Sequence, residues 1–68
     1  MGLTVKQNDF VVVIVEGASQ ISAYRSAYNT QNISEKTIWE EAPRLRRHPK
    51  VDARIVWLEA EKEARRRI

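Results

Sequence analysis

Cysteine is absent from these 68 residues, histidine occurs once, and glycine and proline occur twice each. Without thiols there is no disulfide framework and no thiolate zinc site to supplement a small core, which agrees with a reducing compartment such as the cytoplasm. The single His48 and the adjacent Glu40 and Glu41, whose side chains point about 100° apart on a helix, provide no converging acid–base pair. No G-x-x-x-x-G-K-[ST] phosphate loop occurs either. A catalytic role is therefore not expected, and neither a cofactor nor a metal is called for. A lone histidine beside Pro49 reads as a helix cap or a surface residue.

Long apolar runs are also missing. The longest, FVVVIV, has six residues, against roughly 20 needed to span a bilayer. The start, MGLTVKQNDF, lacks the basic segment followed by an apolar stretch that a secretory signal requires. No Gly-, Pro- or Ser-rich linker divides the chain, so residues 1–68 are expected to form one soluble domain. A chain this short buries only about 60% of its unfolded surface, so its core is small.

What the chain has in abundance is charge, unevenly placed. Residues 1–42 carry a net −2, whereas residues 43–68 hold nine Lys or Arg against four acids, a net +5. A basic half of this kind suits a polyanionic partner.

Periodicity predicts an all-α fold of about four helices, over 5–16, 19–28, 35–47 and 50–66. Thr4 and Gln7 have the spacing of a capping box, and Gly17 is placed to stop the first helix. The β-branched run within it favours a strand locally, but no second run of that kind exists to pair with it, so a buried helix is expected. In the second helix, capped by Ser19, Ile21, Ala23, Tyr24, Ala27 and Tyr28 share one arc, and Ser22, Arg25 and Ser26 lie opposite. The tyrosines on that arc read as core and rim packing. NTQNI then forms a turn.

The third helix, capped by Ser34 with Glu35 in its first turn, has Ile38, Trp39, Ala42 and Leu45 on the expected core side. Lys36, Thr37, Glu40, Arg44 and Arg47 gather on the other, with Glu41 and His48 at the margin. Glu40 and Arg44 have the spacing of a favourable (i, i+4) pair. Pro43 removes the hydrogen bond to the Trp39 carbonyl, so a kink or an early helix end is expected there. Pro49 suits the first turn of the fourth helix. That helix carries two apolar stripes: Val51, Ile55 and Leu58 to dock on the domain, and Ala53, Trp57, Ala60, Ala64 and Ile68 on roughly the opposite side. The second stripe is either a self-association surface or merely good helix composition.

The stretch GASQISAYRSAYNTQNISEKTIWEEAPRLRRHPKVDARIVWLEAE resembles the N-terminal DNA-binding region of bacteriophage terminase small subunits. The likeness runs over about residues 3–62: a helix ending near Gly, an Ala-Tyr-Arg-x-Ala-Tyr element, a Ser-capped SEKTIW-like helix, an Arg-Leu pair, and a Pro-Lys-Val opening a helix that ends in IxxLxAE. It implies a helix-turn-helix domain, a packaging-site DNA partner, homo-oligomeric rings, and regulation of a separate terminase large subunit that holds the ATPase and nuclease, all in the cytoplasm of a bacterial host. Carried onto these residues, the second helix supports and the third reads. Lys36, Thr37, Arg44 and Arg47 become groove-facing candidates, Glu40 orients Arg44 or selects among bases, and Arg25, Lys50 and Arg54 contact phosphate. Trp57, Ala60, Ala64 and Ile68 are the oligomerisation candidates.

The chain departs from that pattern at Pro43, in RLRRHPKV where the family more often shows RLLxNPKV, and in the absence of the family's following oligomerisation region and tail. NTQNIS is also longer than the usual three or four turn residues. Two other readings use the same residues: a helix-turn-helix transcriptional regulator, and a protein-interaction module for which DNA is irrelevant.

Overall fold

The structure, a computed structural model, describes residues 2–66. Four helices account for it, with no strand among the described residues: α1 (Val5–Val15), α2 (Gln20–Ala27), α3 (Glu35–Arg46) and α4 (Pro49–Arg66). Each lies within one residue of its expected bounds at either end.

α1 begins and ends on local chemistry. The Thr4 hydroxyl accepts from the Gln7 backbone N–H at 3.1 Å and the Gln7 side chain accepts from the Thr4 N–H at 3.0 Å, a complete capping box. At the other end Gly17 sits at φ +110°, its N–H donating to the Ile14 carbonyl while Ala18 N–H donates to Val13. These two bonds make a Schellman motif, and glycine takes the left-handed conformation it needs at little cost.

The β-branched run is helical because tertiary burial outweighs local propensity. Phe10 and Val11 are fully buried, and Val13, Ile14 and Val15 are partly so. α1 packs against both α2 and α4, and adjacent residues such as Phe10 and Val11 project about 100° apart, so an apolar residue on either side finds cover. The central cluster joins Phe10 and Val11 to Ala23 of α2 and to Val51 and Ile55 of α4.

α1 and α4 run in the same direction. The first residues of α1 lie beside Lys50, Ala53 and Arg54, and twelve positions further along, the Lys62 ammonium donates to the Val15 carbonyl at 3.0 Å. α1 has no basic residue in its own last turn, so α4 supplies the cation that the carbonyl end of a helix favours. Beyond Leu58, the described residues of α4 are all exposed, and the molecule measures 44 × 25 × 17 Å.

Pro43 does not end α3. The helix continues through it to Arg46, and Pro43 itself is half-buried, so the lost bond to Trp39 is absorbed three residues before the terminus. Restoring it with Pro43→Ala is expected to stabilise the protein by up to about 3 kcal/mol. Urea unfolding measures this, and an unchanged or lower midpoint would show that the proline ring contributes packing worth as much as the missing bond.

Candidate nucleic-acid interface

α3 is delivered by α2 and anchored at both ends. The connection, residues 28–34, is folded on itself: the Asn29 side chain accepts from Gln31 N–H at 3.1 Å and Thr30 O accepts from Ile33 N–H at 3.2 Å. Ser34 then caps α3, its hydroxyl accepting from Thr37 N–H at 3.2 Å. At the far end only Arg47 and His48 separate α3 from α4. His48 Nδ1 accepts from Lys50 N–H at 3.2 Å and its carbonyl from Asp52 N–H at 2.8 Å, so His48 is a helix cap. The Arg46 guanidinium donates to Asp52 at 2.6 Å across that corner and holds the two helices in register.

Ile38 and Ala42 are buried and Leu45 is half-buried, so one side of α3 faces the body. Lys36, Thr37, Glu40, Arg44 and Arg47 are all exposed. At about 100° per residue, Lys36, Glu40 and Arg47 lie along the centre of the outward face, with Thr37 and Arg44 on one margin and Trp39 and Pro43 on the other.

Trp39 corrects the expected core assignment: it is 61% exposed. On a helical projection it lies about 100° from Ile38, at the edge of the apolar arc, and the body formed by α2 and α4 covers Ile38 without reaching it. An exposed indole close to the Glu35 carboxylate, whose charged form it helps to stabilise, is a feature that the periodicity alone did not reveal.

The ion pairing also differs from expectation. Arg44 pairs with Glu41, one turn back at 3.3 Å, and not with Glu40. Glu41 is half-buried at the α2 side, where the carboxylate is positioned, whereas Glu40 stands outward. Glu40 therefore does not orient Arg44 here. An exposed pair of this kind contributes about 0.5 kcal/mol or less, so a phosphate can displace Glu41 at little cost. The Thr37 hydroxyl lies 3.0 Å from that of Ser34 and is engaged in the cap.

Arg25 reaches from α2 to Glu35 in the first turn of α3. This hydrogen bond, with the guanidinium charge behind it, holds the Glu35 carboxyl below its ordinary range. Arg25 thus braces the two helices through an exposed charge-assisted contact. Among the described residues Lys36, Arg47 and Lys50 make no ion pair.

The structure divides the sequence-derived candidates into two groups. Lys36, Thr37, Glu40 and Arg44 share α3 and Arg47 is its C-cap, with Arg25 near its start. Lys50 and Arg54 instead line a groove between α4 and the first residues of α1, to which no α3 residue contributes, and Arg54 stacks over the Trp57 ring at 4.8 Å. Trp57, Ala60 and Ala64 are exposed, while Ile68 lies outside the described residues.

Tyr24 and Tyr28 stack at 4.7 Å on the other side of α2, both half-buried. Burial, with Tyr24 alongside, pushes the Tyr28 hydroxyl above its usual range. The pair lines a shallow cleft with Glu41, Arg44, Leu45 and His48, and Tyr24 packs against the core cluster at its rim. Among the described residues no group of His, Asp and Glu is arranged to hold a metal, and no helix is long and apolar enough to cross a membrane.

No known protein family matches this chain, and neither does any curated protein or solved structure.

The Arg25–Glu35 contact has a definite pH signature. Because the Glu35 carboxyl is depressed in the folded state, its contribution is present above the ordinary glutamate range. It is lost as pH falls through the lower, folded value. Arg25→Gln is expected to lower the melting temperature at neutral pH and to leave it nearly unchanged at the acid end. Melting curves across that range test it, and an equal loss at every pH would contradict the ionic origin of the contact.

Proposed function

We propose that this chain is a non-catalytic DNA-binding domain that presents the outward face of α3 to the duplex, as the recognition module of a bacteriophage terminase small subunit. The observation that carries this reading is that face itself. Among the described residues Lys36 and Arg47 stand without an ion pair and Arg44 is held only by a weak one, on a helix anchored to the body along its opposite side.

Twelve residues of α3 span about 18 Å, enough to lie along a major groove about 12 Å wide. Lys36 and Arg47, with Arg25 nearby, are suited to phosphate, and Arg44 to a phosphate or a guanine edge. Trp39 offers an apolar surface to a sugar or a thymine methyl. Glu40 in the middle of a basic face disfavours phosphate at its own position and favours a cytosine amino group, which is a source of selectivity.

The terminase assignment draws on the order of motifs over residues 3–62. In that role the domain works in the cytoplasm of the bacterial host, binds packaging-site DNA and acts on the large subunit's ATPase and nuclease. Lys50 and Arg54 then serve backbone phosphates adjoining the α3 surface, or the α4 groove alone.

Binding of a labelled duplex over a series of salt concentrations tests the reading. Each of Lys36→Ala and Arg47→Ala is expected to weaken binding and to lower the magnitude of the log–log salt slope by about 0.9 for every phosphate no longer neutralised. In a Trp57→Phe background, where Trp39 is the remaining tryptophan, DNA is expected to change the indole emission. A folded double variant with the affinity and slope of the unsubstituted chain would remove α3 as the interface.

A further inference from the structure

A groove of about 690 Å³ runs between residues 2–5 and the first turns of α4, within the roughly 300–1,000 Å³ of small binding sites. Its apolar part is Leu3, Val5, Ala53 and Trp57, of which Val5 is 79% and Trp57 52% exposed. Its charge has one sign. Lys50 and Arg54 line it and no acidic residue does, and the first turn of α1 beside it holds no acid either. Asp52, the acid nearest to both in sequence, is engaged by Arg46 at 2.6 Å. Among the described residues Lys50 and Arg54 make no ion pair. Arg54 lies over the Trp57 ring at 4.8 Å, which sets a cation directly beside the apolar floor.

The wall opposite α4 is extended backbone. Thr4 stands at φ −67° and ψ 164°, and Gly2 and Leu3 make no hydrogen bond among the described residues. Their N–H and C=O groups are therefore open to a main chain laid alongside. A DNA duplex engages cations through its phosphates and leaves the apolar floor of such a groove in water. A carboxylate next to a large apolar side chain satisfies both halves of it.

We propose that this groove binds an extended acidic peptide segment of a partner protein. A carboxylate of the peptide meets Lys50 and Arg54, a large apolar side chain covers Trp57, Ala53 and Val5, and its main chain hydrogen-bonds to residues 2–3. Charge complementarity with an apolar anchor, together with the unpaired extended backbone, selects this occupant. Lys50 and Arg54 then belong to the α4 groove alone, and the inference stands independently of the reading of α3.

Selection of a random library of short peptides, capped at both ends, on the immobilised chain tests this. Enriched peptides are expected to carry Asp or Glu close in sequence to Leu, Phe or Trp. In a Trp39→Phe background, where Trp57 is the remaining tryptophan, a synthetic enriched peptide is expected to shift the indole emission. Exchanging its acids for amides, or replacing both Lys50→Glu and Arg54→Glu in the chain, is expected to weaken binding about tenfold or more while far-UV dichroism stays unchanged. Lys36→Ala and Arg47→Ala are expected to leave the peptide affinity as it was. The proposal is overturned by a library that yields no enrichment, by enriched peptides that lack acids, or by binding indifferent to the double charge reversal. It is equally overturned by a DNA duplex that displaces the peptide and itself moves the Trp57 emission.

Discussion

The fold depends on covering α1 from two sides. Phe10 and Val11 are adjacent in sequence and both fully buried, which one neighbouring helix does not readily accomplish. α2 supplies Ala23 and α4 supplies Val51 and Ile55, and the close approach this permits lets a β-branched segment remain helical against its own preference. Because α1 also runs in the same direction as α4, its carbonyl end meets Lys62. A single constraint thus fixes three helices and determines which side of α4 remains free.

α3 stands outside that arrangement and is positioned by it. Its fully buried residues are Ile38 and Ala42, with Glu41, Pro43, Leu45 and Arg46 partly buried, and its ends are tied by Arg25 to Glu35 and by Arg46 to Asp52. Basic residues near α3 therefore serve two different purposes. Arg25 and Arg46 are engaged in holding helices together, whereas among the described residues Lys36 and Arg47 have no acidic partner and Arg44 has a weak one. Net charge along the chain does not distinguish these classes; the distribution of acidic partners does. This is the physical content of reading α3 as an interface and Arg46, equally basic, as a brace.

Much of the architecture was legible in the residues. Thr4 with Gln7, Ser19, Ser34, Gly17 and Pro49 mark helix ends by chemistry confined to one turn, and these signals placed four helices correctly. Burial on α2 followed from its one apolar arc, and on α4, which has two, burial followed the stripe of larger aliphatic residues, Val51, Ile55 and Leu58. Trp39 was misplaced because a residue at the edge of an arc is buried or exposed according to its neighbours in space. Arg44 chose Glu41 over Glu40 because the α2 side holds that carboxylate in place. Continuation through Pro43 was likewise a tertiary outcome, since the helix is held on both sides of the missing bond by Ala42 and Leu45. Contacts between distant residues, Lys62 with Val15 and Arg25 with Glu35, have no local signature.

The measurement that tests the central claim most directly is a two-dimensional NMR titration of the labelled chain with a short duplex at low and then moderate salt. Amide shifts concentrated on residues 36–47, with the Trp39 indole among them, and fading as salt rises, are the expected result. Shifts that leave α3 unmoved, or that collect only along residues 53–66 and persist at the higher salt, would contradict it and make α4 the sole contact surface of the molecule.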